Sequence, residues 1–403
     1  MKYTGIIILL LTLHITAWAN VTLRGHVRSM LTQEALPDAE VRADGLTASV
    51  ITNEDGFFAL KLESMPKRLA VSALGHKDAT VDCSTLTDVT SDLNVWMEPD
   101  VHILSTVTIF SAEDIVRKAL AKVPDNYTKS TERLSCFYRE TIRKQNHYVG
   151  LSEAVMDVYK TDYSHGVVRD RVQIRKGRAL MSQRSRDTLS VKVMGGPQES
   201  VLIDLVKNRD LLFYQDDLSA YHYEMEPGTS IGNRLQFVIR FHPKETRDYA
   251  LYSGTIYVDA ERLAFTRIET SLDMSDTQKA TNMMLMKKPR GLRFKPKALN
   301  TTVSYYYDGQ CSRISYVRNV YQFNCDWRRR LFATSYRAVS EMVVTDYAVS
   351  DMPKGHRNMF SRYDVLSSDV ADFDDTEFWE AYNIIEPSES LEYAVKRLKK
   401  RAQ

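Results

Sequence analysis

Between Val21 and Met97 apolar and polar residues alternate in short runs, and turn residues break the runs roughly every 8–12 positions. In the first run Val21, Leu23, Gly25 and Val27 fall on one side, while Thr22, Arg24, His26 and Arg28 fall on the other. A period of two marks a strand with one buried face and is incompatible with a helix. Pro37-Asp38 punctuates a turn before a short strand around Val41. Ser49–Thr52 and Phe57–Leu62 flank Asn53-Glu54-Asp55-Gly56, expected to be a hairpin loop whose glycine supplies a positive φ. Leu69–Ala73, Thr80–Asp82 and Leu93–Met97 bring the total to about seven short strands, the pattern of a β-sandwich.

Residues 1–19 precede this block. Lys2, the apolar run Ile6–Leu13 and the small-residue tip Ala17-Trp18-Ala19 have the order of an export signal, with the mature chain expected to begin near Asn20. The run is shorter than the ~20 apolar residues of a membrane span. No cysteine follows the tip, so a lipid-modified signal is not supported. The expected location is the periplasm or the outer-membrane surface. With 403 residues, 43% hydrophobic and 26% charged, two or three domains are expected. A net charge of +2 gives no global field for nucleic acid. The 22 tyrosines and 14 phenylalanines favour strands. Cys83, Cys136, Cys311 and Cys325 allow three disulfide pairings and match no zinc spacing, and buried free thiols are the simplest reading.

Five spaced elements carry a resemblance: Gly25-His26-Val27, Pro37 with Val41, Thr52 with Asp55-Gly56-Phe57, Ser72, and Gly75. Together they resemble the carboxypeptidase-regulatory-like (transthyretin-like) domain of exported Bacteroidetes proteins. His76 departs from the family, which places an aromatic there. The resemblance implies a sandwich fold and an exported, accessory role, and no activity of its own.

Ser111 caps a helix over residues 111–123, with Asp114 at capping-box spacing and Ile115, Val116, Ala119, Leu120 and Val123 on one face; Pro124-Asp125-Asn126 is expected to end it. A short helix is expected over Glu199–Val206. From Leu134 to about Ser350 long alternating strands dominate, with a strong hairpin signal at Asp308-Gly309. Without strand–helix alternation, a parallel α/β core is not expected, and a large antiparallel β-meander (half-barrel-like), either curved or closed to protect its edges, is. The segment Tyr249–Glu269 is similar to the half-barrel of lipoprotein carriers. The elements Phe137-Tyr138-Arg139-Glu140, Glu153-Ala154, Phe378-Trp379-Glu380 and Tyr382-Asn383-Ile384-Ile385-Glu386-Pro387 resemble exported Bacteroidetes proteins that join the regulatory-like domain to such a β region. The tail carries an acidic turn (Asp369, Asp372, Asp374, Asp375, Glu377) without EF-hand spacing, then a helix with Leu391, Ala394, Val395 and Leu398 on one face. The expected organisation is signal peptide 1–19, sandwich 20–100, linker and connector helix 101–128, antiparallel β domain 129–365, and acidic turn with C-terminal helix 366–403.

Three strings imitate catalytic motifs. His242-Pro243-Lys244-Glu245 is H-x-x-E, and with His356 it copies the ligand types of zinc carboxypeptidases. Gly228-Thr229-Ser230-Ile231-Gly232 is G-x-S-x-G, but its context is a hairpin turn, whereas a nucleophile elbow joins a strand to a helix. Ser64-Met65-Pro66-Lys67 is S-x-x-K within the small sandwich, with no helix to pair Ser64 with Lys67. None supplies catalytic, cofactor or metal residues in this reading. Lys287, Lys288, Arg290, Arg293, Lys295 and Lys297 form a basic stretch that Pro289, Gly291 and Pro296 mark as a loop, suited to anionic lipid, lipopolysaccharide or envelope partners. The reading is a non-enzymatic envelope binding, assembly or scaffold protein. The alternative is a periplasmic metal-dependent hydrolase using His242, Glu245 and His356.

Overall fold

The structure is a computed structural model that describes residues 21–86, 91–100, 110–184, 187, 189, 191–213, 218–327, 333–355, 359–372, 378–379 and 382–402. Seven strands fall where the alternation puts them: β1 (Val21–Ser29), β2 (Glu40–Ala43), β3 (Ser49–Ile51), β4 (Phe57–Leu62), β5 (Arg68–Ser72), β6 (Ala79–Asp82) and β7 (Leu93–Met97). They form two facing sheets, β4-β1-β7 and β3-β2-β5-β6, closed over a core that includes Val27, Val41, Phe58, Leu60 and Leu69. Asn53–Gly56 is not a hairpin loop, because β3 and β4 belong to different sheets. It is a tight corner instead: Asn53 Oδ1 accepts the N–H groups of Asp55 and Phe57 at 2.9 and 3.0 Å, and Gly56 has φ +73°. A Cβ on Gly56 would lie 2.6 Å from the Val27 carbonyl oxygen, so the corner excludes side chains twice over.

Helix α1 (Ala112–Ala121) opens with the expected capping box: Ser111 Oγ accepts the Asp114 N–H, and the Asp114 carboxylate accepts the Ser111 N–H. Pro124-Asp125-Asn126 does not end the helical run but builds a second short helix, α2 (Val123–Asn126). Pro124 sits in its first turn, where a missing N–H leaves nothing unpaired.

The remaining elements are β8 (Glu132–Lys144), β9 (His147–Lys160), β10 (Arg171–Met181), β11 (Lys192–Val193), α3 (Pro197–Leu202), β12 (Tyr221–Ile231), β13 (Arg234–Pro243), β14 (Tyr252–Asp259), β15 (Phe265–Leu272), α4 (Thr277–Met284), β16 (Leu285–Lys287), β17 (Leu292–Tyr307), β18 (Ser312–Trp327), β19 (Thr334–Val349), α5 (Leu366–Asp369), β20 (Ala371–Asp372) and α6 (Glu389–Ala402). Ten strands make one antiparallel sheet in the order β12-β13-β14-β15-β17-β18-β19-β8-β9-β10, and the two-residue β20 adds in parallel to β10. The protein is therefore mainly β, a sandwich followed by a large antiparallel sheet with a few helices.

The order is not a single meander. Two meanders, β8–β10 and β12–β19, are joined edge to edge where β19 pairs with β8. The chain leaving β10 must therefore travel to the opposite edge before β12 can start. Nine strand spacings at ~4.8 Å amount to about 43 Å. The described residues between 182 and 220 lie as a strap over one face, here called the inner face. Val201, Leu205, Val206 and Phe213 of the strap pack there with α1 and with Cys136, Met156 and Val317 of the sheet. α3, expected over Glu199–Val206, spans only Pro197–Leu202.

The strap is clamped by a closed ionic group. Lys160 Nζ lies 3.1 Å from Asp170 and 2.9 Å from Asp204, and Lys207 Nζ lies 2.8 Å from Asp170. The Tyr163 and Tyr305 hydroxyls donate to Asp204 at 2.9 and 2.8 Å, and Lys207 Nζ also donates to the Thr161 carbonyl at 2.6 Å. All four charged side chains are buried. Two cations face two carboxylates, and each carboxylate accepts further hydrogen bonds, which is what burial of charge requires.

The outer face carries the sandwich and the tail. Ile51 of β3 packs with Phe137, Val155, Tyr316, Trp379 and Ile385, and Ser49 Oγ donates to the Val344 carbonyl at 3.2 Å. Leu398 and Val395 of α6 pack on Leu151 and Leu180. At the β12–β13 hairpin the Gly75 N–H donates to the Ser230 carbonyl at 3.0 Å. Cys83, Cys136, Cys311 and Cys325 are all free thiols.

Candidate functional site

The inner face is apolar at both ends and polar across its middle. Phe294, Phe323 and Tyr336 fill one end, and Val303, Val317 and Met342 belong to the cluster at the other. Between them Thr301 Oγ1 donates to Asn319 Oδ1 at 2.8 Å, and Asn319 Nδ2 to Ser340 Oγ at 3.5 Å. Alternation along β8 continues the row. Phe137 and Arg139 point outward, while Tyr138 and Glu140 point inward. The Tyr138 hydroxyl donates to Glu140 Oε2 at 2.9 Å.

Above this row the strap stands off the sheet and leaves a cavity of about 580 Å³. Its floor is Glu140 and Ile142 of β8, Ser152 of β9, Tyr321 of β18, and Ala338 and Ser340 of β19. Leu189, Val191 and Val193 of the strap roof it, and Val365 and Leu366 close one side. Gly150 admits Met181 onto the sheet beside the floor, since a Cβ there would meet the Met181 sulfur at 2.9 Å. Three lysines stand at the rim: Lys192 on β11, Lys287 at the end of β16, and Lys288. β11 pairs with β16, so the strap and the basic segment are tied together. Lys192 Nζ donates to the Tyr363 carbonyl at 2.7 Å, which ties down the third wall.

Three carboxylates line the cavity: Asp364 is exposed at its edge, and the other two, Glu140 and Asp187, differ. Burial raises the Glu140 pKa above the ordinary glutamate range, an effect the Tyr138 hydroxyl and Lys192 only partly offset. Burial also acts on Asp187, but the Ser182 hydroxyl at 2.8 Å and Lys144 at 3.2 Å hold its pKa below the usual range. The cavity thus joins apolar walls to a deep, weakly acidic carboxyl and a cationic mouth. That arrangement suits a ligand with an apolar body and an acidic end.

The basic stretch is a loop only from Lys288 to Gly291. Lys287 ends β16, and Arg293, Lys295 and Lys297 alternate on β17 as exposed residues against buried Leu292, Phe294 and Pro296. Only Lys287 and Lys288 of the six reach the cavity. Lys288 Nζ donates to the Leu292 carbonyl at 3.0 Å, and Lys295 lies 3.5 Å from Asp326.

The motif residues lie elsewhere. His242 is exposed at the end of β13, its ring 5.1 Å from that of His222, and Glu245 pairs with Arg247 at 2.8 Å. His356 lies outside the described residues, as do Asp374, Asp375 and Glu377 of the acidic turn. Among the described residues no group of three or more His, Cys, Asp or Glu is placed to hold a metal ion. Ser230 lies inside β12, and the turn falls later, at Gly232-Asn233. Its hydroxyl is covered by the sandwich and donates to the His76 carbonyl at 3.4 Å. Ser64 and Lys67 are exposed between β4 and β5. No helix among the described residues is long and apolar enough to cross a membrane.

Sequence reasoning missed the strap residues and the polar row, which follow no motif. Their one local sign was Phe137-Tyr138-Arg139-Glu140 with Glu153. Glu140 lines the cavity floor and accepts the Tyr138 hydroxyl, while Arg139 and Arg178 both ion-pair with buried Glu153, at 2.7 and 2.9 Å.

Comparison with known proteins gives fold likenesses and one family. The chain is similar to a LolA superfamily protein from Nitrosomonas europaea, at 10% identity over 60% of this chain and 96% of that one, with a TM-score of 0.21. It is also similar to a DUF1329 family protein from Desulfovibrio piger, at 10% identity over 61% of this chain and 95% of that one, with a TM-score of 0.25. At such scores neither bears on the site or its ligand. No curated protein matches the chain in sequence. The family model of the CarboxypepD_reg-like domain matches residues 23–109, so the N-terminal sandwich is a CarboxypepD_reg-like domain.

Proposed function

We propose that this protein is an exported, non-enzymatic binding protein of the cell envelope, and that its ligand is an amphipathic molecule with an acidic head group. One observation carries the reading: the cavity of about 580 Å³ between sheet and strap has largely apolar walls and a mouth set with Lys192, Lys287 and Lys288. The volume falls within the ~300–1,000 Å³ of small-molecule sites. An acyl chain would lie along Ile142, Val191, Tyr321 and Ala338, and its acidic group would meet the rim lysines. Burial raises the Glu140 pKa, which disfavours a repelling charge opposite the ligand's acidic group. The export signal read at residues 1–19 supports a periplasmic setting, where anionic lipids are at hand. Arg290 at the turn, with Arg293, Lys295 and Lys297 along β17, would extend the basic rim toward a membrane surface.

The test is equilibrium titration of the full chain with a fluorescent long-chain fatty acid. Saturable binding is expected, lost in Ala338→Phe, which fills the floor, and weakened about tenfold in the Lys287→Gln/Lys288→Gln double variant, with melting temperatures unchanged. Absence of saturable binding, or unchanged binding in Ala338→Phe, would refute the proposal.

A further inference from the structure

The opposite face of the sheet holds a second cavity of about 370 Å³, at the junction of sandwich, sheet and tail. Its sheet wall presents four arginines: Arg139 and Arg143 of β8, Arg318 of β18 and Arg337 of β19. Two are spent on carboxylates. Arg139 binds Glu153 at 2.7 Å and donates to the Ile385 carbonyl at 2.7 Å, and Arg318 lies 3.5 Å from Glu341. The other two have no ion pair with any carboxylate among the described residues. They also face each other: Arg337 stands directly opposite Arg143 in the β19–β8 register. Like charges directly opposite each other on neighbouring strands are destabilising, and a bound anion would relieve that repulsion. Arg337 Nε is buried and has no hydrogen-bond partner among the described residues. The Arg143 guanidinium sits 5.2 Å from the centre of the Tyr148 ring, which holds one side of it.

None of the cavity's acidic residues forms an ion pair with Arg143 or Arg337 among the described residues. Glu341 accepts the Tyr316 hydroxyl at 2.9 Å beside Arg318. Asp38 and Glu386 are pushed by burial toward their neutral forms. Glu54 is exposed at the lip. The remaining lining near Arg143 and Arg337 is Thr141, Ser388 and Ser390, whose hydroxyls can donate to an oxyanion.

We propose that the junction cavity is a second binding site, selective for a small polar molecule bearing an oxyanion, phosphate or carboxylate, which Arg143 and Arg337 clasp from adjacent strands. Two planar forks converging on one group is the geometry that binds such oxyanions bidentately. The site lies on the other face of the sheet from the strap cavity, so it stands or falls apart from the fatty-acid reading. Because the sandwich supplies part of the wall, an occupant would also tie the CarboxypepD_reg-like domain to the β domain.

The test is calorimetric titration of the full chain in chloride buffer with inorganic phosphate, and separately with citrate, at constant ionic strength. One-to-one binding of at least one anion is expected, and the anion that binds names the group. Arg143→Gln and Arg337→Gln should each weaken it about tenfold or more. Arg117→Gln, on the exposed face of α1, should leave it unchanged. A second readout removes any doubt about folding. Without anion, Arg337→Gln should melt no lower than the native chain, because it relieves the repulsion, and added phosphate or citrate should raise only the native melting temperature. Failure of both anions to bind, undiminished binding in both glutamine variants, or a lowered anion-free melting temperature in Arg337→Gln would overturn the proposal.

Discussion

Removing one member of the ionic clamp beneath the strap should cost more than its contacts suggest. Lys207 and Asp170 are both fully shielded from water, with Nζ–Oδ distances of 2.8 and 3.0 Å. Lys207→Met leaves Lys160 facing two carboxylates, and Asp170→Asn leaves two ammonium groups facing one. Either variant strands a net charge in the interior, and breaking a buried pair from one side costs about 3–5 kcal/mol. The double variant is different. It leaves Lys160 and Asp204 balanced at 2.9 Å, with Tyr163 and Tyr305 still donating to Asp204. Its cost should fall short of the summed singles by roughly 1–3 kcal/mol. Urea denaturation followed by circular dichroism at pH 7, with unchanged m-values, measures all four corners of the cycle. Additivity within about 0.5 kcal/mol would show that the group does not act as a charge-balanced unit and would refute the reasoning.

Three further outcomes follow from the same structure. Burial, with repulsion from Lys160, pulls the Lys207 pKa down to about 8 from 10.5, so between those values the unfolded chain holds a proton that the folded one lacks. Lys207's own contribution to stability should therefore rise from pH 8 toward 10, by up to ~1.4 kcal/mol per pH unit, against the fall that the raised Cys136 and Cys325 thiols impose there, so the urea-midpoint difference between the native chain and Lys207→Met should move in the native chain's favour over that range. Gly56→Val should destabilise an isolated 20–100 fragment, expected to fold alone, by at least ~1–2 kcal/mol, because it meets both a positive φ and the Val27 carbonyl; an unchanged thermal melt would refute this. His242→Ala and Glu245→Ala should leave fatty-acid binding intact and stability within about 0.5 kcal/mol of native, and a zinc-dependent loss in either would revive the hydrolase alternative.

The sandwich was legible because its information is local. Period-two runs and turn residues place every strand from Val21 to Met97, and the failure at Asn53–Gly56 concerns only which sheets the two flanking strands join. The long strands were legible for the same reason. The basic stretch misled because Pro296 reads as a breaker. It is tolerated in β17 at a bulge, where the register shifts between Pro296 and Ala298, and on an overhang that β15, paired only to Asn300–Ser304, does not reach. The strap was invisible because nothing within residues 182–220 states that β19 will pair with β8. That pairing, between strands about two hundred residues apart in the chain, is what forces the strap across the inner face and opens the cavity. Phe137-Tyr138-Arg139-Glu140 shows the limit from the other side: its residues serve both faces of the sheet, but the sequence does not say what either face meets.

The most direct measurement is photocrosslinking of the full chain with a fatty acid carrying a diazirine at its chain end, followed by peptide mapping. The account predicts adducts confined to the cavity walls around Ile142, Val149, Val191 and Tyr321, abolished by excess unlabelled fatty acid and by Ala338→Phe. Competable adducts on any other part of the chain, or none at all, would contradict it.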